Sequence, residues 1–342
     1  MVRMGDDAVE VQLVAGRLDD LASLALLARR VDCVVNSANA ALLTRGVSGI
    51  AGALLALGGE ALLRESDAAK AAAGGEVPVG RAVWTGAGAL GCRGIAHAVA
   101  LRYGPRGREP ATPAAVEAAF LDALRVADEH ACASLACYVM CARAGFSTVP
   151  SSSDAPAVML AAMLAAIEAF RARAPRERGL PRALRKILLF VPAARLLRAV
   201  APAHAPHAVL WCDDGARAAR AVERLRRAGA RAERADWDAA LSAFSAREEP
   251  SGRGVEKSTG AGRSPSAAAW ALVVGWEARD VALEQLRAAR AAPRHWLRVV
   301  CSAVAASDSE MRVEAWCAGA HWVTASADEL VDEMLAAELD GI

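Results

Sequence analysis

An apolar run that ends in two asparagines, Val31-Asp32-Cys33-Val34-Val35-Asn36-Ser37-Ala38-Asn39, leads into the glycine-spaced segment Gly46-Val47-Ser48-Gly49-Ile50-Ala51-Gly52 and then into a helix rich in alanine and leucine. Few architectures accept a strand, a glycine loop and a helix in that order. In α/β proteins the strand end delivers polar side chains and the glycines let the backbone approach a ligand. The helix N-terminus offers free N–H groups to an anion such as phosphate.

The rest of the chain is consistent with that class. Its 342 residues are enough for two ordinary domains. Hydrophobic residues make up 55%, much of it alanine, which favours helices packed closely on a sheet. A formal net charge of +1 gives no general nucleic-acid footprint. Arginine far outnumbers lysine but alternates with acids and alanines, as on solvated helix faces. No uninterrupted apolar run of about 18 residues stands out, so no membrane span is expected. The N-terminal residues lack the apolar core of a signal peptide. The eight cysteines are scattered. Cys33, Cys137, Cys212 and Cys301 fall in predicted strands, as reduced thiols of an intracellular protein, cytoplasmic or nuclear. Cys132, Cys137 and Cys141, with His130 before them, are spread too far along an extended strand to share one ion. Neither a metal nor a cofactor is expected.

Hydrophobic periodicity predicts strands at 9–14, 32–36, 80–85, 94–99, 133–140 and 186–191, and helices at 18–28, 50–65, 112–130 and 155–173. Such alternation means a largely parallel sheet covered on both faces. Residues 193–206, rich in alanine, proline and histidine, mark a linker. A second alternation follows: strands at 207–212, 230–234, 270–274, 297–302 and 320–323, and helices at 215–228, 237–244, 278–290, 307–318 and 326–338. Residues 247–266, rich in glycine, serine and charge, read as a disordered insertion. The expected fold is α/β, with two doubly wound three-layer domains, 1–192 and 207–342.

Four blocks of the first domain resemble the macrodomain family of ADP-ribose-binding modules. These are Val35-Asn36-Ser37-Ala38-Asn39, Gly49-Ile50-Ala51-Gly52-Ala53-Leu54, Gly58-Gly59-Glu60-Ala61-Leu62-Leu63, and the run from Thr85 through Cys92 to His97-Ala98-Val99. The resemblance implies that Asn39 hydrogen-bonds the distal ribose, since a carboxamide both donates and accepts. It implies that the backbone of Gly49, Ile50 and Ala51 forms a first diphosphate loop. Cys141, Ala142, Arg143, Ala144, Gly145 and Phe146 would form a second, with the Phe146 ring on the distal ribose. The departures also matter. Ala51, or Ser48 in another register, stands where hydrolytic members carry an aspartate, and neither is a carboxylate base. Gly16-Arg17-Leu18 replaces a Gly-Asp-Ile/Leu motif whose aspartate accepts from the adenine amino group, with Asp19 and Asp20 as nearby substitutes. Arg143 either pairs with the diphosphate or blocks the groove. Taken alone, Asn39 reads as a loop or helix cap, and His97 as a satisfied core histidine.

Residues 207–335 resemble a response-regulator receiver domain. The resemblance rests on Val209-Leu210-Trp211-Cys212-Asp213-Asp214, Leu225-Arg226-Arg227-Ala228-Gly229-Ala230, Val299-Val300-Cys301-Ser302-Ala303 and Ala318-Gly319-Ala320-His321-Trp322-Val323. Gly275-Trp276 follow the strand that should deliver the phospho-acceptor aspartate, and the position of the family's lysine falls near Ser326. Without an acceptor carboxylate, phosphoryl transfer has no nucleophile. The module is then a pseudo-receiver for packing or partner contact, with Asp213 and Asp214 read as a solvated strand-end pair or helix cap in preference to a metal site.

The expected activity is binding of ADP-ribose or mono-ADP-ribosylated protein without efficient turnover, and no catalytic residue is assigned. Two other readings stand beside this reader: a hydrolase of ADP-ribose esters, and a degenerate scaffold without ligand. A protein partner of the second domain is expected, and neither a membrane nor a specific nucleic acid.

Overall fold

The computed structural model describes residues 9–104, 107–142, 146–149, 154–172, 182–191, 208–212, 216–227, 231–234, 270–275, 282–287, 296–301, 303–326, 329–330 and 332. Arg143, Ala144 and Gly145, the 193–206 segment, Asp213, Asp214, the 237–244 helix, the 247–266 segment and Ser302 lie outside the described residues. The chain divides into two compact units, Val2–Arg195 and Leu196–Ile342.

In the first unit the strands are β1 (Glu10–Ala15), β2 (Cys33–Asn39), β3 (Ala82–Gly86), β4 (Gly94–Gly104), β5 (Gly107–Glu109), β6 (Ser134–Tyr138) and β7 (Lys186–Val191). The helices are α1 (Leu21–Ala28), α2 (Gly49–Ala72), α3 (Pro113–Glu129) and α4 (Ala155–Ala172). The sheet runs β1-β7-β6-β2-β4-β3, with β5 on the far end of β4. Its β1–β7, β7–β6, β6–β2 and β2–β4 pairs are parallel, whereas β3 and β5 lie antiparallel to β4. The wholly doubly wound expectation is therefore corrected to a mixed sheet. Eight consecutive residues at the start of β4 are buried, so both sheet faces are covered there. Helix α1 packs on α2, and α3 on α4.

Local chemistry sets the element ends. Helix α1 starts at Leu21 rather than Leu18 because the Asp20 carboxylate accepts from Ser23 N–H as its N-cap. Thr112 caps α3 in the same way, with Pro113 at the first position. Helix α2 runs to Ala72, beyond the expected Glu65, but is broken at Gly59 (φ 68°, ψ −163°). Strand β4 also outruns its expected end at Val99. Its distal half turns at Gly104 into β5, which the sequence reading missed because a three-residue charged strand has no apolar alternation. Helix α4 is long and apolar enough by length and composition to cross a membrane, although Glu168 and Arg171 interrupt its apolar run. In the fold it buries Met159, Met163, Ile167 and Phe170.

Among the described residues the second unit has five strands, β8 (Ala208–Cys212), β9 (Arg231–Arg234), β10 (Trp270–Gly275), β11 (Trp296–Cys301) and β12 (Trp322–Thr324). They form a parallel sheet in the order β9-β8-β10-β11-β12. Its helices include α5 (Ala216–Arg227), α6 (Ala303–Ser307) and α7 (Ser309–Ala318). The helix expected over 307–318 is α7, which starts after Asp308 because that carboxylate accepts from Met311 N–H, and the short α6 before it was not expected. Gly319, at φ 117°, ends α7.

Candidate functional site

A cleft of about 620 Å³ opens at the carboxyl ends of the first sheet's parallel strands. Open α/β sheets place ligands there, because loops diverge at strand ends and leave polar backbone unpaired. Residues just beyond β1, at the ends of β2 and β6, and on the outer half of β4 all line it. Four strand-to-strand steps separate β1 from β4, so the cleft spans on the order of 19 Å.

Seven of the ten expected site residues share this cleft: Asn39, Gly49, Ile50, Ala51, Cys141, Ala142 and Phe146. Asn39 ends β2, and its Oδ1 accepts from Ala41 N–H at 2.8 Å, an Asx turn that starts the loop. The capping role is therefore real, and the side-chain N–H groups of Asn39 remain as donors. Gly49, at φ 67°, opens α2 in a conformation that favours glycine. Gly52 lets the loop fold onto the first helical turn, since a Cβ there would stand 2.5 Å from the Val47 carbonyl oxygen.

The first turn of α2 differs from its counterparts. Side chains cap α1, α3 and α7, but Ser48, the N-cap of α2, makes no side-chain cap bond. Gly49, Ile50 and Ala51, in the first turn of this helix, line the cleft, and the leading amides of a helix have no intrahelical acceptor and carry the positive end of its dipole.

Across the cleft, Cys141 has a left-handed backbone (φ 53°), and its thiol lies 3.9 Å from Ser37 Oγ. Burial pushes that thiol up to about 11, so it is protonated and poorly nucleophilic. Phe146 is pinned through its carbonyl, which accepts from Ala111 N–H at 2.9 Å. The Arg108 guanidinium sits 4.1 Å from the centre of its ring. Arg108 pairs across the hairpin with Tyr103, which is 53% exposed and also lines the cleft. The sequence reading missed Tyr103, Arg108 and Tyr138. No local pattern pointed to Tyr103, because β4 past Leu101 has no apolar alternation.

Asp19 is the single carboxylate among the described residues lining the cleft. Arg17 Nε and Nη2 donate to its two oxygens at 2.8 and 2.6 Å. Asp20 is not at the cleft but at the α1 cap, which removes it as a ligand acceptor.

His97 stands outside the cleft. Its Nδ1 lies 3.1 Å from Asn36 Nδ2 and its Nε2 2.9 Å from Thr85 Oγ1. The Asn36 amide donates to Nδ1, so the ring proton resides on Nε2 and is shared with Thr85. Burial lowers the imidazole to about 3, so it is neutral and structural. No cluster of three or more His, Cys, Asp or Glu side chains that could hold a metal occurs among the described residues.

The first unit is thus a mixed α/β sheet with a helix N-terminus lacking a side-chain cap at its carboxyl edge. Residues 35–154 match the family model described as Macro domain, and the N-terminal region is a macro domain. The chain is 32% identical over 123 residues to the Macro domain-containing protein TTE0995 of Caldanaerobacter subterraneus subsp. tengcongensis, covering 35% of this chain and 62% of that one. It is 33% identical over 128 residues to the uncharacterized protein SSO2899 of Saccharolobus solfataricus, covering 37% and 63% respectively. The matched region thus spans less than two thirds of either relative. Among solved structures, the chain is similar to an Oceanobacillus iheyensis macrodomain with ADP (TM-score 0.36, 21% identity, 55% of this chain and 84% of that one). It is also similar to the Trypanosoma brucei macrodomain in complex with ADP-ribose (TM-score 0.36, 20% identity, 53% and 62%).

Proposed function

We propose that the N-terminal unit binds ADP-ribose, free or attached to protein, and does so without efficient turnover. The observation that carries this reading is the uncapped first turn of α2 at Gly49–Ala51, which leaves backbone donors for a diphosphate where the other capped helices satisfy theirs. The size of the cleft, about 620 Å³, lies within the usual range of ligand pockets, and its span suits a base, two sugars and two phosphates in line. In this pose Asn39 donates to the distal ribose, Cys141, Ala142 and Phe146 lie beside the diphosphate, and the base lies toward Arg17. Weak turnover follows from the carboxylates: Asp19 is held by Arg17, and the α2 loop has Ser48 and Ala51 where a base would be needed.

Calorimetric titration with ADP-ribose tests binding, and no heat at high micromolar protein would leave only the scaffold reading. Release of ADP-ribose from a modified acidic peptide would instead favour the hydrolase. Asn39→Ala is expected to weaken ADP-ribose binding by about 1–3 kcal/mol. Asn39→Asp keeps the turn acceptor but loses the amide donors, so it should weaken binding as well. Wild-type affinity in both variants would remove Asn39 from the contact.

The ligand-binding module is assigned to 1–192, the linker to 193–206 and a receiver-like module without phosphotransfer to 207–342. The strand order of the second sheet, 2-1-3-4-5 in its own numbering, supports a flavodoxin-like class. Gly275 ends β10 where an acceptor carboxylate would be required. Such a module contributes packing or contact with a protein partner. Acid-labile phosphate on the protein after incubation with acetyl phosphate and Mg²⁺ would overturn it. Cys33, Cys92, Cys132, Cys137, Cys141 and Cys317 are free thiols, in keeping with the proposed intracellular location.

A further inference from the structure

At the amino-terminal edge of the first sheet, away from the cleft, the heads of β2, β4 and β6 gather three cysteines. Cys33 opens β2 and lies opposite Gly94 of β4 and Leu135 of β6. Asp32 ties the three segments together. Its carbonyl accepts from Arg93 N–H at 2.8 Å. Its carboxylate accepts from Ala133 N–H at 2.8 Å and from Ser134 N–H at 3.0 Å. Arg93 Nη1 donates to the Ala131 carbonyl at 2.9 Å. The chain neighbours of Cys33, Cys92 and Cys132 are thus hydrogen-bonded to one another. The turn before Cys132 is further held by the His130 ring, stacked 4.2 Å from Trp84.

Within this frame the Cys33 thiol donates to the Cys132 sulfur. The Cys92 thiol instead donates to the Gly94 carbonyl at 3.6 Å. Cys33 and Cys132 are buried, but Cys132 sits between the exposed Ala131 and Ala133, one residue beneath the surface. The three thiols differ in reactivity. The hydrogen bond from Cys33 holds Cys132 below its ordinary value, with Arg93 acting in the same sense against burial and the Asp32 charge. Burial, and then the bond to Cys132, pushes Cys33 well up. Burial pushes Cys92 up to about 11. Of the three, Cys132 is the one inclined to the thiolate, which is the reactive form.

We propose that Cys33 and Cys132 are a peroxide-reactive dithiol, with Cys132 the nucleophile and Cys33 the resolving thiol. The Cys132 sulfur attacks a peroxide oxygen. An S–O bond forms, the O–O bond breaks, and the departing hydroxide takes the thiol proton to become water, leaving a sulfenic acid. The Cys33 sulfur then attacks the Cys132 sulfur. The S–S bond forms, the S–O bond breaks, and hydroxide leaves with the Cys33 proton as a second water. Two thiols lose two electrons and the peroxide gains them. In a reducing compartment, exchange with a small thiol reopens the disulfide. The cleft takes no part, so the proposed binding stands or falls separately.

The full-length protein is treated with hydrogen peroxide, its remaining thiols are alkylated, and it is digested without reductant for mass spectrometry. The first product is expected to be a cross-linked pair of peptides carrying Cys33 and Cys132, with loss of two of the eight thiols and recovery of both in dithiothreitol. In Cys33→Ser, Cys132 should stay a sulfenic acid and be captured by dimedone. In Cys132→Ser, Cys33 should keep its thiol at the dose that closes the wild type. A first disulfide through Cys92, or both thiols still alkylated at doses that oxidise a free cysteine peptide, overturns the inference. The wild-type cross-link map decides this even if either variant folds poorly.

Discussion

Gly88→Ala is expected to destabilise the N-terminal unit by roughly 2–5 kcal/mol, combining left-handed backbone strain with overpacking. The reason lies in the break of α2. At Gly59 the helix leaves its regular path, and the Gly58 carbonyl accepts from Ala89 N–H at 3.1 Å. The loop after β3 docks into that opening. Gly88 has φ +60°, and a Cβ there would stand 2.1 Å from the Gly58 oxygen and 2.9 Å from its carbon, both backbone atoms. No side-chain rotation relieves that overlap. Gly74 is the control, with φ +86° and nothing within 4 Å of an added Cβ. Gly74→Ala should show the strain alone, about 1–2 kcal/mol. Equal melting temperatures for the two variants would show that the α2 break and the β3 loop are not in close contact.

The second large effect is acid sensitivity. His97 is buried and lowered to about 3, whereas a histidine in the unfolded chain titrates near 6.5. Between these values the unfolded state binds a proton that the native state refuses, so stability rises with pH. The contribution is complete above about pH 6.5 and is lost as the pH falls toward about 3, at up to roughly 1.4 kcal/mol per unit. Urea denaturation at pH 7, 6, 5 and 4 should show this slope. In His97→Gln, which keeps hydrogen-bonding capacity between Asn36 and Thr85 without a titrating ring, the slope below pH 6 should flatten by about that amount. An unchanged slope would mean that the histidine does not control acid lability. The side-chain Oδ1 of Asn36 is buried without a hydrogen-bond partner among the described residues, so this network is already under-satisfied before any proton arrives.

Several elements were legible in the chain because their causes are local. Ile187–Val191 is a continuous apolar run, and with Lys186 before it forms β7, Lys186–Val191, as expected. Thr112-Pro113 is a helix start whose capping oxygen and fixed φ are both written in the sequence. The asparagine-ended strand followed by spaced glycines led to the carboxyl edge where the cleft lies. The extension of β4 and its hairpin with β5 were not legible. Arg102, Tyr103, Arg108 and Glu109 carry no apolar alternation, and their pairing is made by register across a turn. The antiparallel placement of β3 was also hidden, since its periodicity is the same in either direction.

Sequence alone determined the chemistry available to this protein: the caps, the glycines where backbone must come close, the apolar strands and the carboxamide at the end of β2. Each of these depends on residues near one another in the chain. Only the tertiary structure decided how that chemistry is used. It put Asp20 in a helix cap and Asp19 under Arg17, set Arg108 over Phe146, and buried His97 between Asn36 and Thr85. These outcomes depend on strand order and burial, which bring distant residues together and set the cost of a charge in a place that no local pattern encodes.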